Sequence, residues 1–425
     1  MLTQALYTTL NIVDMFWVGK LGPVSVAAVA LSGSVMSVLF AAGQMFTVGA
    51  MATSARAAGA NSRSGVQESL RHAMAMAAVI SLPLAVAGAL LAGQLLGLFR
   101  PATEVIAAGQ PYLRLMLGSL PFFFTGMVAY SVFQGLGDTR TPMLIISATN
   151  VLNAILDPIL IFGWLGVPRL GVTGAALATV LSLFVGISVM GLTLRHRGLL
   201  HLRGAFRMDA FRTLTEIGIP AGLQAVTRPI TGMMMFAIVT GFGTAATAAF
   251  GIGLRALEVM YVYLAGLGSA GETLVGQSLG RRDPCTAARV AHRLSITGLL
   301  LQLAVMPVLF IMAPRVIGLF SADPEVIRAG TSYLRFLTPV LVIGGLSIAW
   351  ASAQRGAGAT TNPMVAAVVA NWFVKLPAAL LFARLTPLGL NGVWLGIAAS
   401  VIVEAAVLAF GYFRGQWKHK ELAWS

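Results

Sequence analysis

Gly135-Leu136-Gly137-Asp138-Thr139-Arg140-Thr141-Pro142 returns 221 residues later as Gly356-Ala357-Gly358-Ala359-Thr360-Thr361-Asn362-Pro363, with both glycines, one threonine and the proline in register. The same offset lays Gly59 on Gly280, Leu98-Phe99 on Leu319-Phe320 and Glu104-Val105-Ile106 on Glu325-Val326-Ile327. It also lays Tyr112-Leu113-Arg114 on Tyr333-Leu334-Arg335 and Asn150 on Asn371. After a slip of three residues, Leu170-Gly171 and Gly174 fall on Leu388-Gly389 and Gly392. An internal repeat in a strongly apolar chain is the mark of a membrane carrier assembled from two like halves.

Composition leads to the same class. The 425 residues are 57% hydrophobic and 10% charged, with a mean hydropathy of +0.86, whereas a soluble domain carries about 25% charge. The chain is therefore counted in membrane spans of about 20 residues. Its one cysteine, Cys285, excludes a disulfide framework and any multi-cysteine metal site. The net charge of +14 is explained by Lys and Arg held on cytoplasmic loops, so no nucleic-acid partner is expected.

Apolar runs broken by Gly, Pro and Arg predict twelve helices near 1–18, 25–56, 68–97, 104–134, 142–162, 171–194, 212–239, 246–278, 286–318, 325–354, 363–382 and 391–413. An N-cap residue followed by proline marks several starts: Thr141-Pro142, Asp283-Pro284, Asp323-Pro324 and Asn362-Pro363. The fold expected is an all-α integral membrane protein of two six-helix bundles. Residues 1–195 form the first bundle, 196–211 a cytoplasmic linker, 212–414 the second bundle and 415–425 a cytoplasmic tail. Six spans per half is an even number, so both halves cross in the same direction and the repeat is a parallel pseudo-twofold.

Of the 28 Lys and Arg, 17 fall on one side of the predicted spans, 8 on the other, and Arg228, Arg255 and Lys375 lie within them. The basic side, with both termini, is expected in the cytoplasm and the chain in the inner membrane, its bilayer the one macroscopic partner. We read it as a monomer. Met1 aligns with Gly222, inside the seventh predicted span, so the first span is short by about ten residues compared with its partner. It lacks the basic region and cleavage site of a signal peptide.

Ionisable groups inside a bilayer are costly and demand a reason. The first half holds two, Asp14 and Asp157. Asp14 lies three residues after Asn11; Asp157 lies four after Asn153, on one helical face, and seven after Asn150. Carboxyls kept from water, with amide neighbours, can take up and release protons or hold Na⁺. At the repeat offset Asp14 meets Met235 and Asp157 meets Ala378, so the acids were not duplicated with the scaffold. One coupling site in the first half is expected. In the second half Arg228 and Lys375 are expected to neutralise Glu258 and Glu272, with Arg228 and Glu258 as a possible polar cluster, and Glu404 is given no role. His72 and His292, near loop ends, are read as solvated. No phosphate-binding Gly-rich loop, zinc-binding His pair or nucleophile elbow appears in a supporting context, so an enzyme is not expected and no cofactor beyond the coupling ion, H⁺ or Na⁺.

These segments carry a family likeness. Asn11-Ile12-Val13-Asp14 with Phe16-Trp17-Val18-Gly19, the Gly135–Pro142 string, Asn153-Ala154-Ile155-Leu156-Asp157-Pro158, Gly171-Val172-Thr173-Gly174-Ala175-Ala176 and Val275-Gly276-Gln277-Ser278-Leu279-Gly280 occur in order and at matching spacing over nearly the whole length. Together they resemble the multidrug and toxic compound extrusion (MATE) transporters. The resemblance implies two six-helix bundles around a central cavity, and alternating-access antiport of small organic, cationic or amphiphilic compounds against H⁺ or Na⁺. It is nearest to the branch of DNA-damage-inducible protein F, whose acidic and amide site on spans 1 and 5 maps to Asp14, Asn153 and Asp157. The other branches place a Glu on span 7, where this chain has Arg228. The shortened span 1 departs from the family pattern and puts a proline-bending mechanism in doubt. A lipid-linked precursor flippase of the same wider superfamily is the alternative.

Overall fold

In a computed structural model, residues 13–201 and 207–422 are described, apart from the side chains of 259 and 260. Twelve helical rods follow in order: α1 (13–19), α2 (Pro23–Gly59), α3 (Arg63–Gly97), α4 (Thr103–Gly118 with Leu120–Gly135), α5 (Arg140–Phe162) and α6 (Val172–His196). Then come α7 (Met208–Thr240), α8 (Thr244–Gly280), α9 (Pro284–Gly318), α10 (Pro324–Gly356), α11 (Thr361–Leu385) and α12 (Leu390–Phe413). No strand occurs among the described residues.

Eight of these helices are long and apolar enough to cross a membrane, ten when the two bent rods α4 and α8 are each taken as one span. The bend of 49° in α4 falls at Ser119, beside Gly118 and Pro121, a pairing that weakens the helical ladder. The remaining two are α1, most of whose predicted span lies outside the described residues, and α7. The latter is long enough, but Asp209, Arg212, Glu216 and Arg228 dilute its apolar character.

The chain divides into two compact units between Thr215 and Glu216. The predicted linker, 196–211, is thus cut short: its last four residues already belong to α7, and Leu214 on the next turn is buried in the first unit's core. The described residues at either end of the linker are held to α3. Arg63 Nη2 donates to Arg197 O at 2.5 Å and Gln67 Nε2 to Gly198 O at 2.7 Å. His72 is buried, not solvated: its Nε2 accepts the Arg207 N–H at 3.0 Å, which leaves Nδ1 to donate to Glu68 O at 2.8 Å. The tail also docks. Trp417 packs into a core patch with Val275, Ala291 and Ala353, and Leu422 lies against Gly358.

Each unit repeats one packing scheme. In the first, α4 packs on α2, α3 and α6, and α5 pairs with α6; in the second, α10 packs on α8, α9 and α12, and α11 pairs with α12. The backbone repeats as well. Gly22 and Gly243 share φ near +100° (104° and 101°), Asn61 and Arg282 share left-handed φ of 53° and 59°, and Gly137 and Gly358 share 82° and 77°. A side chain on Gly135 would meet Met51 O, and one on Gly356 would meet Glu272 O; these two neighbours are themselves 221 residues apart.

The three-residue slip has a structural origin. Gly174 packs on Leu160 O and Gly392 on Phe382 O, a pair 222 residues apart. The extra residue is absorbed by a π-helical turn in α11, Val369–Lys375, because a π turn inserts one residue into an α-helix. The stretch from Phe382 to Gly392 is then four residues shorter than that from Leu160 to Gly174, which holds the 3₁₀ turn Trp164–Gly166.

Two of the four predicted helix starts hold. Asp283 and Asp323 are N-caps, accepting from Thr286 N and Glu325 N. For α5 and α11 the caps are Thr139 and Thr360, so the prolines stand at the third helical position. Asp138 supplies the missing acceptor for α5, at 3.1 Å from Arg140 N and 3.0 Å from Thr141 N.

Candidate functional site

The end of α1 is held against α5 and α6 by Val18, Ile161 and Ala175, which share a small buried patch. Trp17 extends it, with its ring 6.0 Å from Phe162 and 6.2 Å from Trp164. This packing sets Asp14, one turn earlier on α1, opposite α5. Asn153 and Asp157 sit one turn apart on α5 and both are buried, Asp157 with none of its surface exposed. Helix α5 continues unbroken through Pro158 to Phe162, so the proline does not end it.

With its amide nitrogen turned towards α1, Asn153 donates to Asp14 Oδ1 at 2.8 Å and its oxygen accepts from Thr179 N at 3.3 Å. The carboxyl of Asp157 faces that of Asp14 within reach of a shared proton, and no other donor among the described residues reaches either of its oxygens. Thr179 on α6 directs its hydroxyl to Ala175 O at 3.0 Å. Tyr112 of α4 lies within electrostatic reach of both carboxyls. The structure therefore unites three predicted residues, Asp14, Asn153 and Asp157, and adds Thr179 and Tyr112. Asn150 stands two turns before Asp157 on α5, partly exposed, and Asn11 lies outside the described residues.

Tyr112 escaped sequence reasoning because its repeat partner is Tyr333, and a residue kept in both halves reads as scaffold. Tyr333 is scaffold: it packs among Phe250 and Trp394 at centroid distances of 5.5 and 4.8 Å. Thr179 carried no signal, since hydroxyls are common in membrane helices, where they bond back to the preceding turn.

The second half pairs its charges otherwise than expected. Arg228 Nη2 donates to Glu404 Oε1 at 2.8 Å. Glu258 pairs with Arg255 at 2.9 Å, one turn apart on an exposed face, and Glu272 with Arg355 at 2.7 Å. Lys375 donates to Asn371 Oδ1. The expected neutralisation of Glu258 and Glu272 by Arg228 and Lys375 is therefore corrected, and Glu404, given no role, is the partner of Arg228. Sequence separation explains the miss: Arg228 and Glu404 are 176 residues apart and meet only because α7 and α12 share a unit.

An all-helical chain of two units, each repeating one packing scheme, with charged groups buried mid-helix, defines a multi-pass membrane transporter made by duplication. The chain belongs to the MatE family, the multidrug and toxic compound extrusion transporters, whose profile matches residues 1–159 and 220–381. It is 29% identical over 418 residues to the "Probable multidrug resistance protein NorM" of Thermotoga maritima, covering 96% of this chain and 88% of that protein. It is 28% identical over 358 residues to a protein named "FAD transporter" in Shewanella oneidensis, covering 81% and 77%. Among solved structures it is similar to the Vibrio cholerae MATE transporter VcmN, with a TM-score of 0.91 at 22% identity, covering 100% and 96%. The chain is thus a multidrug efflux transporter by family.

Proposed function

We propose that the chain is a proton-coupled antiporter exporting organic, cationic or amphiphilic compounds by alternating access, with Asp14, Asn153 and Asp157 as the coupling site. The carrying observation is Asp157: wholly buried, facing a second carboxyl, with no donor from any other described residue on either oxygen. A buried charge without a partner is expensive, and two facing carboxyls hold one proton between them more readily than two charges. A proton taken from outside would displace substrate, and its release to the cytoplasm would reset the carrier. Na⁺ fits less well, since a hard cation gathers about six oxygens, and the described site supplies mainly two carboxyls and one amide.

The excess of Lys and Arg on one set of loops supports an inner-membrane setting with that side cytoplasmic. Relatives named for multidrug resistance support a small organic substrate over a lipid-linked one. The test is efflux from proteoliposomes with separately imposed pH and Na⁺ gradients. Efflux should collapse with a protonophore at constant Na⁺. Efflux that follows a Na⁺ gradient at clamped pH and ignores the protonophore would sink the proton assignment.

A further inference from the structure

The second unit holds a charged cluster that the coupling site does not use. Arg228 on α7, Tyr261 on α8 and Glu404 on α12 are within electrostatic reach of one another, and Lys375 on α11 is within reach of Arg228 and Glu404. Thr231 and Asn371 complete it, the threonine hydroxyl 3.5 Å from Asn371 Oδ1. All four charged or phenolic groups lie in helix interiors, where an ionised side chain marks a ligand pathway more often than a structural need.

The cluster contains two cations and one carboxylate. Glu404 neutralises Arg228; Lys375 forms no ion pair of its own among the described residues and has only the neutral amide of Asn371 as its bonded acceptor. One positive charge is therefore left over. Donors also outnumber acceptors, since an ammonium offers three N–H bonds and a guanidinium five. Arg228 and Tyr261 keep 55% and 41% of their surface uncovered by the chain, while Lys375 and Glu404 sit deeper. Lys375 closes the π-helical turn Val369–Lys375, the inserted residue by which α11 departs from α5. Helical insertions of this kind recur at functional sites. At the repeat offset the two acids of the first half meet Met235 and Ala378. The duplicated scaffold thus carries acids in one half and surplus positive charge in the other.

We propose that Arg228, Tyr261 and Lys375 form a binding site for an anionic group, a carboxylate or a phosphate, so that the compounds carried are zwitterionic or acidic amphiphiles rather than simple cations. This rests on the reading of the chain as an exporter of organic compounds. The same chemistry would also accept the phosphate of an anionic lipid headgroup.

Rhodamine B, with a free carboxylate, and its ethyl ester, without one, form a matched probe pair. Their binding to the full chain in phosphatidylcholine nanodiscs is read by fluorescence anisotropy. The wild type should prefer the acid, and Lys375→Gln should weaken the acid roughly tenfold, as for a lost charge-assisted bond, while leaving the ester unchanged. Lys375→Arg should keep the preference. The acid-to-ester ratio is taken within each protein, so a loss of folded material cancels. Equal loss of both dyes, no loss, or no preference in the wild type would overturn the proposal. If phosphatidylglycerol in the disc abolishes the preference, the headgroup is the occupant; if not, it is the free compound. Preserved dye preference without gradient-driven efflux in proteoliposomes would reject the transport reading and leave the anion site standing.

Discussion

Asp157 stands where the repeat offset puts Ala378, and its carboxyl has no counterpart in the second unit. Asp157→Asn should therefore abolish gradient-driven efflux while the protein stays folded and inserted. Glu258→Gln, which breaks only the exposed i,i+3 pair with Arg255, should cost far less, since such pairs contribute little. Vesicle efflux assays on the two variants decide; activity kept by Asp157→Asn and lost by Glu258→Gln would move coupling to the second half. Outside the spans, Asp138 is a titrating cap. Partial burial pushes its carboxyl up, but hydrogen bonds from the Thr141 hydroxyl and N–H, and the Arg197 guanidinium at 2.7 Å, outweigh it and hold the group below its ordinary 3.8. A lowered native value stabilises the fold above pH 3.8, and that gain is lost as pH falls through the native value. Amide exchange at Arg140 and Thr141 should thus accelerate below about pH 4, and Asp138→Ala should show the fast exchange already at pH 7, at a cost of about 1 kcal/mol for a lost cap. Unchanged exchange in the variant would remove Asp138 from the cap.

At the scale of the helix, close approach of backbones is what the small residues provide. A Cβ on Gly174 would lie 2.4 Å from Leu160 O, a backbone atom that cannot swing aside, whereas one on Gly191 of the same helix meets nothing within 4 Å. Gly174→Ala should lower the thermal midpoint of the purified protein, at a cost of about 1–3 kcal/mol typical of overpacking. Gly191→Ala should leave it unchanged, and equal effects would mean that α5 and α6 are not packed at that point. The π turn in α11 belongs to this scale too. Its trace in the sequence is the slip in register, but a slip does not say whether a residue entered a helix or left a loop, and here both happened.

For the molecule as a whole, orientation follows from charge. Cys285 is free and exposed, and it stands beside Arg281 and Arg282 at the α8–α9 turn. A membrane-impermeant thiol reagent should label it in inside-out vesicles and not in intact cells; labelling of intact cells would invert the topology.

The all-helical class, the duplicated scaffold and the two acids within the spans were legible from one chain. Apolar runs and glycine positions are local, and duplication writes the fold twice, so that each half corroborates the other. Asp14 and Asp157 stood out because a charge in an apolar run needs no neighbour to be conspicuous. The partners were not legible. Tyr112 and Thr179 join the acids, Glu404 meets Arg228, and Lys375 is left with an amide, only because helices far apart in sequence share a unit. Hydrogen bonds and ion pairs depend on distances of about 3 Å. Local pattern fixes which face a residue occupies, and only the packed bundle decides which faces meet.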